Sequence, residues 1–351
     1  MKRSCAPSSR RTPRAELFAR RTLGALCRGA LALGFAACDR GVPIPDVDPA
    51  PLRVVDVSVG PDRPWRDGDA IVIAFDRYLD PRTATRQSFA VVDGFNTLTA
   101  NPLVIYDPES RTVTLANAGA DGEAWLPLDQ PYTLVIGIPP AGELLGGVRG
   151  LDGGTLTSDQ TLRVAFFARA ALEADGGGPV TQPVSYCEQV QPLFTRACAR
   201  CHDGTASGLD LRSATGVRTT ALGVVARGAT RGALSSPTPS TAVFGQGAAL
   251  VDPPSAATSY LLSKVLAREP GAGESRASCT EAPRPEPLPK VAVLADPGPE
   301  ERARLHSFLQ GEAMPPPGSA EAPLGLDERR LLSRWIREGA PTASCPSTCT
   351  P

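Results

Sequence analysis

Histidine and methionine are nearly missing from this chain of 351 residues, which has two of each. Met1 belongs to an N-terminal leader, so Met314, His202 and His306 supply all the thioether and imidazole in the rest of the chain. Charge of one sign is missing too. Lys and Arg number 36 against 37 Asp and Glu, a formal net charge of −1, and that balance gives no electrostatic footprint for a nucleic-acid partner. Past the leader no apolar run reaches the ~18 residues that a membrane-crossing helix needs. Lysine is scarce while Pro (36) and Gly (34) are abundant, which favours strands and long loops over a large helical bundle. Residues 214 to 257 and 268 to 298 hold neither a phosphate-binding loop nor a nucleophile beside a base.

What is present begins with an export signal over residues 1 to 37. A basic region ending at Arg28 runs into Gly29-Ala-Leu-Ala-Leu-Gly-Phe-Ala-Ala37 and then Cys38, the layout of a secretory leader and its processing site. Ala36-Ala37 before Cys38 resembles the lipobox of bacterial lipoproteins, with Phe35 where that family usually has Leu. The resemblance implies cleavage before Cys38 and acylation of its sulfur, a stable membrane anchor when two or more chains are attached. An ordinary cleaved signal, leaving Cys38 as a free or bridged thiol, is the alternative. Residues 38 to 52 are rich in Pro and without apolar period, as in an extended spacer.

From Arg53 to about 168 the pattern turns to short runs rich in β-branched residues. They lie at 54–59, 70–75, 88–92, 103–106, 112–115, 132–136 and 162–167, each bounded by turn residues. Seven such runs predict an antiparallel β-sandwich. The strings Phe75-Asp-Arg-Tyr-Leu-Asp-Pro81, Tyr106-Asp-Pro-Glu-Ser-Arg-Thr-Val-Thr-Leu115 and Leu128-Asp-Gln-Pro-Tyr-Thr-Leu134 resemble bacterial Ig-like domains of surface proteins. That resemblance implies a spacer or adhesion module. Residues 169 to 184, with three consecutive Gly, read as a linker.

The remaining residues, 185 to 351, centre on Cys198-Ala-Arg-Cys-His202. Two cysteines separated by two residues, followed at once by a histidine, form the C-x-x-C-H pattern of haem c attachment; zinc or a thiol redox pair could use the same residues. Upstream, Ser185-Tyr-Cys-Glu188 has the form of a capping box, with Pro192 either kinking the helix or opening its regular part. Val190, Leu193, Phe194 and Ala197 fall on one helical face. Downstream, residues 327 to 338 predict a helix with Leu331, Leu332, Trp335 and Ile336 on one face and Gly339 as its stop.

Ser207-Gly-Leu-Asp-Leu-Arg-Ser213, Ser259-Tyr-Leu-Leu-Ser-Lys264, Met314-Pro-Pro-Pro317 and Trp335-Ile-Arg-Glu-Gly-Ala340 follow the attachment run in order. Together they resemble bacterial cytochrome c domains of the planctomycete type. The expected fold class is therefore multidomain β + α: an N-terminal antiparallel Ig-like β-sandwich and a C-terminal, mainly α cytochrome c fold with long loops and an insertion. The resemblance implies one covalent haem c on Cys198 and Cys201, with His202 on the iron. A soft thioether on the other face would favour Fe(II), and Met314, before three prolines, is the favoured distal ligand. His306, beside the apolar stripe of Leu305, Phe308 and Leu309, and an open site are the alternatives.

Of nine cysteines, Cys5 and Cys27 leave with the signal. Cys187, Cys279, Cys345 and Cys349 remain after lipid and haem are assigned. An even remainder in an exported chain permits two disulfides in three connectivities, with Cys345–Cys349 and Cys187–Cys279 favoured. The function expected is a lipid-tethered monohaem electron carrier in the bacterial cell envelope, working with redox partner proteins. The alternatives are a haem enzyme with an open distal site, and a surface adhesion or structural lipoprotein without haem.

Overall fold

The computed structural model describes residues 49–117, 125–139, 146–157, 162–171, 182–206, 208–226, 248–271, 291, 296–309 and 311–342. The signal segment, Cys38, most of both linkers, and Cys279, Cys345 and Cys349 lie outside them. The described residues belong to one compact unit spanning Val42–Pro351.

Nine strands form two sheets among the described residues. The first has the order β1 (Val54–Val57), β3 (Ile71–Phe75), β7 (Thr112–Ala116), β6 (Leu103–Asp107), all antiparallel. The second runs β2 (Trp65–Arg66), β9 (Arg163–Arg169), β8 (Pro131–Ile136), β4 (Phe89–Asp93), β5 (Leu98–Ala100). Alternation sends one set of side chains inward. Ile71, Ile73, Phe75, Val113 and Leu115 from the first sheet share a core with Phe89, Val91, Leu134, Ile136 and Phe166 from the second. Phe75 meets Phe89 edge-on across it, with ring centroids 6.5 Å apart, a favoured aromatic arrangement. The Tyr132 hydroxyl turns back to donate to the Pro127 carbonyl at 3.0 Å, so a nearly buried ring keeps its polar tip satisfied.

Each of the seven predicted runs contains a strand, yet the expected fold class does not hold. The second sheet is mixed, because β2 pairs with β9 in parallel, Trp65 opposite Ala168 and Arg66 opposite Arg169. Residue alternation is the same in both directions, so it cannot report direction. The mainly α cytochrome c fold expected for residues 185 to 351 is also not what forms. The described helices there are short: α1 (Gln191–Ala197), α2 (Ala214–Thr220), α3 (Tyr260–Leu266), α4 (Pro299–Ser307) and α5 (Leu326–Arg337). Across the described residues, two sheets of nine strands stand beside these few short helices. Proline and glycine between the helices are the physical reason: Pro lacks the N–H that would extend a helix and Gly gives up the most chain entropy.

Local signals set the helix ends. The Ser185 hydroxyl accepts from the Glu188 N–H at 3.3 Å, while the Ser185 N–H donates to the Gln189 side chain at 2.9 Å rather than to Glu188. This cap opens a π-helical turn, Tyr186–Val190, and the α-helical geometry starts beyond it, with Pro192 in the first turn of α1. At α5 the reciprocal bond does form, the Glu328 carboxylate accepting from the Gly325 N–H at 2.9 Å. Gly339, at φ +92°, takes the left-handed conformation that ends many helices.

The helices pack around a second core. Val190, Leu193, Phe194, Leu262, Leu332, Trp335 and Ile336 are buried together, and Tyr78 and Leu151 from the β half join them. Trp335 lies edge-on to Phe194 at 5.9 Å and beside Tyr186 at 6.0 Å. A polar seam accompanies this contact. The Ser333 hydroxyl donates to Asp107 at 2.7 Å, and the Tyr78 N–H donates to Glu301 at 2.9 Å. Arg304 meets Asp152 at 3.3 Å and Arg330 meets Glu109 at 3.5 Å.

Candidate functional site

The helix α1 delivers the attachment run. Its buried face, Leu193, Phe194 and Ala197, fixes its rotation on the core, and the chain then turns tightly. The Cys198 and Ala199 N–H groups donate to the Phe194 carbonyl at 2.9 and 2.8 Å. Those of Cys201 and His202 donate to the Cys198 carbonyl at 3.2 and 2.9 Å. The next loop returns to the same place: the Leu211 N–H donates to the His202 carbonyl at 2.9 Å and the Gly204 N–H to the Leu209 carbonyl at 2.9 Å. Gly204 sits at φ +95°, a turn geometry that a side chain would strain. His202 is thus held by its backbone on both sides.

The side chains differ in exposure. Cys198 and Cys201 are both free thiols, the first half-buried against the helical core and the second exposed. Burial pushes the Cys198 thiol up to about 12. That disfavours the thiolate form at Cys198, the form in which a thiol is nucleophilic. Burial also lowers the His202 pKa, opposed by a backbone hydrogen bond at Ala206 and by the Asp203 carboxylate. Its Nδ1 is buried without a hydrogen-bond partner. Burial thus favours the uncharged ring, and one of its nitrogens is unused.

Two ion pairs tie the run to the segment entering α5. Arg196 meets Glu328 at 2.5 Å and Arg200 meets Glu321 at 3.4 Å. Met314 lies seven residues before Glu321, half-buried, with its N–H donating to the Lys264 carbonyl at 2.9 Å. No hydrogen bond joins it to His202 among the described residues. His306, on α4, is engaged elsewhere: its Nε2 lies 2.9 Å from the Gly311 carbonyl. Sequence reasoning placed Lys264 in a motif string without reading its contact to the Glu312 carbonyl, and missed the Arg196 and Arg200 pairs.

Several expectations are corrected here. Among the described residues no group of three or more His, Cys, Asp or Glu side chains could hold a metal ion. Metal binding by such a cluster, zinc included, is therefore set aside. Among the described cysteines, Cys198 and Cys201 are free and Cys187 is disulfide-bonded. The other members of the expected Cys187–Cys279 and Cys345–Cys349 pairing, Cys279, Cys345 and Cys349, lie outside the described residues.

A haem, were one attached here, would be held by the two free thiols at the C-x-x-C spacing and by the imidazole with its orphaned nitrogen. Among these residues the fit rests on Cys198, Cys201 and His202, with Met314 held in a separate loop.

No family model and no curated protein matches the chain. Among solved structures, it is similar to domains 1–6 of surface layer protein SbsC, at 15% identity over 44% of this chain and 17% of that one, with a TM-score of 0.25. It is also similar to the S-layer protein rSbsC, at 16% identity over 47% and 19% of the two chains, with a TM-score of 0.27. A third, the N-terminal part of the bacterial S-layer protein SbsC, gives 17% identity over 42% and 27% and a TM-score of 0.24. The matched regions span between about a sixth and a quarter of those proteins.

Proposed function

We propose that this chain is a one-electron carrier of the bacterial cell envelope that holds a single haem c through Cys198 and Cys201. The observation that carries the reading is His202: a half-buried imidazole with an unpartnered Nδ1, fixed by its backbone directly after two free thiols. A haem bound there supplies an Fe(III)/Fe(II) couple, whose potential depends on axial ligands and burial. The chain's own residues would do the rest. Cys198 and Cys201 anchor, His202 supplies the nitrogen, Met314 is the thioether available for the second face, and α1 with α5 excludes water from one side. The export leader and Cys38 support a lipid-anchored position, with redox partner proteins in the same compartment.

The test is production of the full chain with cytochrome c maturation machinery. The expected result is one haem mass per chain, resistant to acid–acetone extraction, and a reduced-minus-oxidised spectrum that Cys198→Ala with Cys201→Ala abolishes. Protein free of covalent haem under these conditions would overturn the proposal.

A second reading is a surface structural lipoprotein whose Cys198–His202 run carries no haem; it is supported by the two-sheet β half, whose core packs through its own side chains. The same production experiment separates the two. A chain that folds fully without haem, and melts at the same temperature with Cys198→Ala and Cys201→Ala, supports the structural reading.

A further inference from the structure

We infer that Lys264 is the positioning residue for Met314, acting with His306; the inference rests on the haem reading above. Lys264 lies in the last turn of α3 and is buried, only 9% exposed. Burying an ammonium is costly unless it is fully used, and this one is aimed at the Met314 loop. Its Nζ donates to the Glu312 carbonyl at 2.6 Å, while its own backbone carbonyl accepts from the Met314 N–H at 2.9 Å. One residue thus grips residues 312 and 314 from its two ends. The Tyr260 ring, with its centroid 5.9 Å from Nζ, backs the ammonium on the same helix.

His306 completes the grip from α4, its Nε2 lying 2.9 Å from the Gly311 carbonyl. Gly311 is at φ +72°, and a Cβ there would lie 3.7 Å from Lys264 Nζ, so the loop passes close beneath the ammonium. Residues 311, 312 and 314 of the loop are therefore bonded to two helices, and Ala313 between them is buried. The same contact gives His306, an alternative distal ligand by sequence, a different role, since its Nε2 is engaged by the loop that carries Met314.

The chemistry explains why such a grip matters. A thioether is a neutral, weak ligand, so a loop held in place beforehand would strengthen its hold on a metal. Groups outside the ligand set that orient a ligand typically change metal affinity about 10–100-fold when removed. A backbone carbonyl offers no rotamer to compensate, so losing the Lys264 donor frees residue 312 and loosens residue 314 with it.

The test uses the full chain carrying covalent haem. Wild type, Met314→Ala, Lys264→Met, Lys264→Arg and His306→Ala are compared by optical spectrum and by affinity of the ferric form for added imidazole, which competes for the distal position. Lys264→Met removes the donor but keeps an apolar stem of similar length, and His306→Ala tests the same loop should that variant fold poorly. The expected result is imidazole binding about 10-fold tighter or more in Lys264→Met, a smaller shift of the same sign in His306→Ala, and recovery towards wild type in Lys264→Arg. Unchanged imidazole affinity in both Lys264→Met and His306→Ala, alongside a large change in Met314→Ala, would overturn the positioning role alone. A Met314→Ala protein indistinguishable from wild type would overturn it too, leaving the haem attachment standing. Absence of covalent haem from the wild type would overturn both.

Discussion

Replacing Glu109 by Gln should make the protein more stable in mildly alkaline solution. Glu109 sits in the turn between β6 and β7, its side chain only 8% exposed, 3.5 Å from Arg330 of α5. Burial first, and the neighbouring Asp107 carboxylate second, raise its pKa from 4.5 to about 8, against the pull of Arg330, Arg329 and Arg337. The folded chain therefore binds this proton more tightly than the unfolded chain. The stability this group contributes is complete below 4.5 and is lost as the pH rises through about 8. At about 1.36 kcal/mol per pKa unit the full effect is at most about 5 kcal/mol, and the relaxation and water penetration usual at buried charges reduce it to ~2 kcal/mol. Gln carries no charge to desolvate and still offers Arg330 an oxygen. Urea unfolding of wild type and Glu109→Gln between about pH 5 and 9 measures the difference. The two stabilities should approach each other near pH 5 and diverge towards pH 9, with the variant higher by ~2 kcal/mol. Parallel curves across the range would refute a buried, proton-holding Glu109.

Other outcomes follow from the packing. Ser333→Ala removes the donor to Asp107 within the seam, where Ser333 is fully buried. It should cost about 1–3 kcal/mol, read by urea unfolding. Trp335→Ala empties a site between Phe194 and Tyr186 where Trp335 is 0% exposed, and a loss of ~3–5 kcal/mol is expected in the same assay. Gly216→Ala puts a Cβ 2.7 Å from the Asp210 carbonyl oxygen. It should lower the thermal midpoint and, by displacing the 203–211 loop, raise amide exchange at Leu211, whose N–H is bonded to the His202 carbonyl; an unchanged exchange rate would separate α2 from that loop.

The strands were legible because each half-buried face repeats every second residue. In β8 (Pro131–Ile136), Tyr132, Leu134 and Ile136 are buried while the alternate residues are not. The two shortest strands, β2 and β5, were not, since two or three residues cannot display a period. The direction of β2 was equally hidden, because it follows from where the chain crosses between sheets. β3 is buried along its whole length, and its outward Val72 and Ala74 are covered by Val291, a distant partner that no local pattern reveals. At the site, the Cys198–His202 run was plain because it is contiguous. Lys264 and its carbonyl acceptor at residue 312 are 48 positions apart, and a backbone acceptor leaves no trace in side-chain identity. The short helices α1 to α5 also show the limit of motif resemblance: ordered strings placed the helices near where they occur, while their combined length did not amount to the mainly α domain those strings implied.

The seam of Asp107 with Ser333, Glu109 with Arg330, Asp152 with Arg304 and Glu301 with the Tyr78 backbone has a consequence for how the molecule turns in solution. Contacts spread over two helices and three loops leave no single axis about which the halves could pivot. A probe fixed on β8 and one fixed on α5 should therefore report the same rotational correlation time, that of the whole unit rather than of either half. The orientation of the Cys198–His202 run is then set by the tumbling of the sheets, and a partner that grips the β half also aims that run.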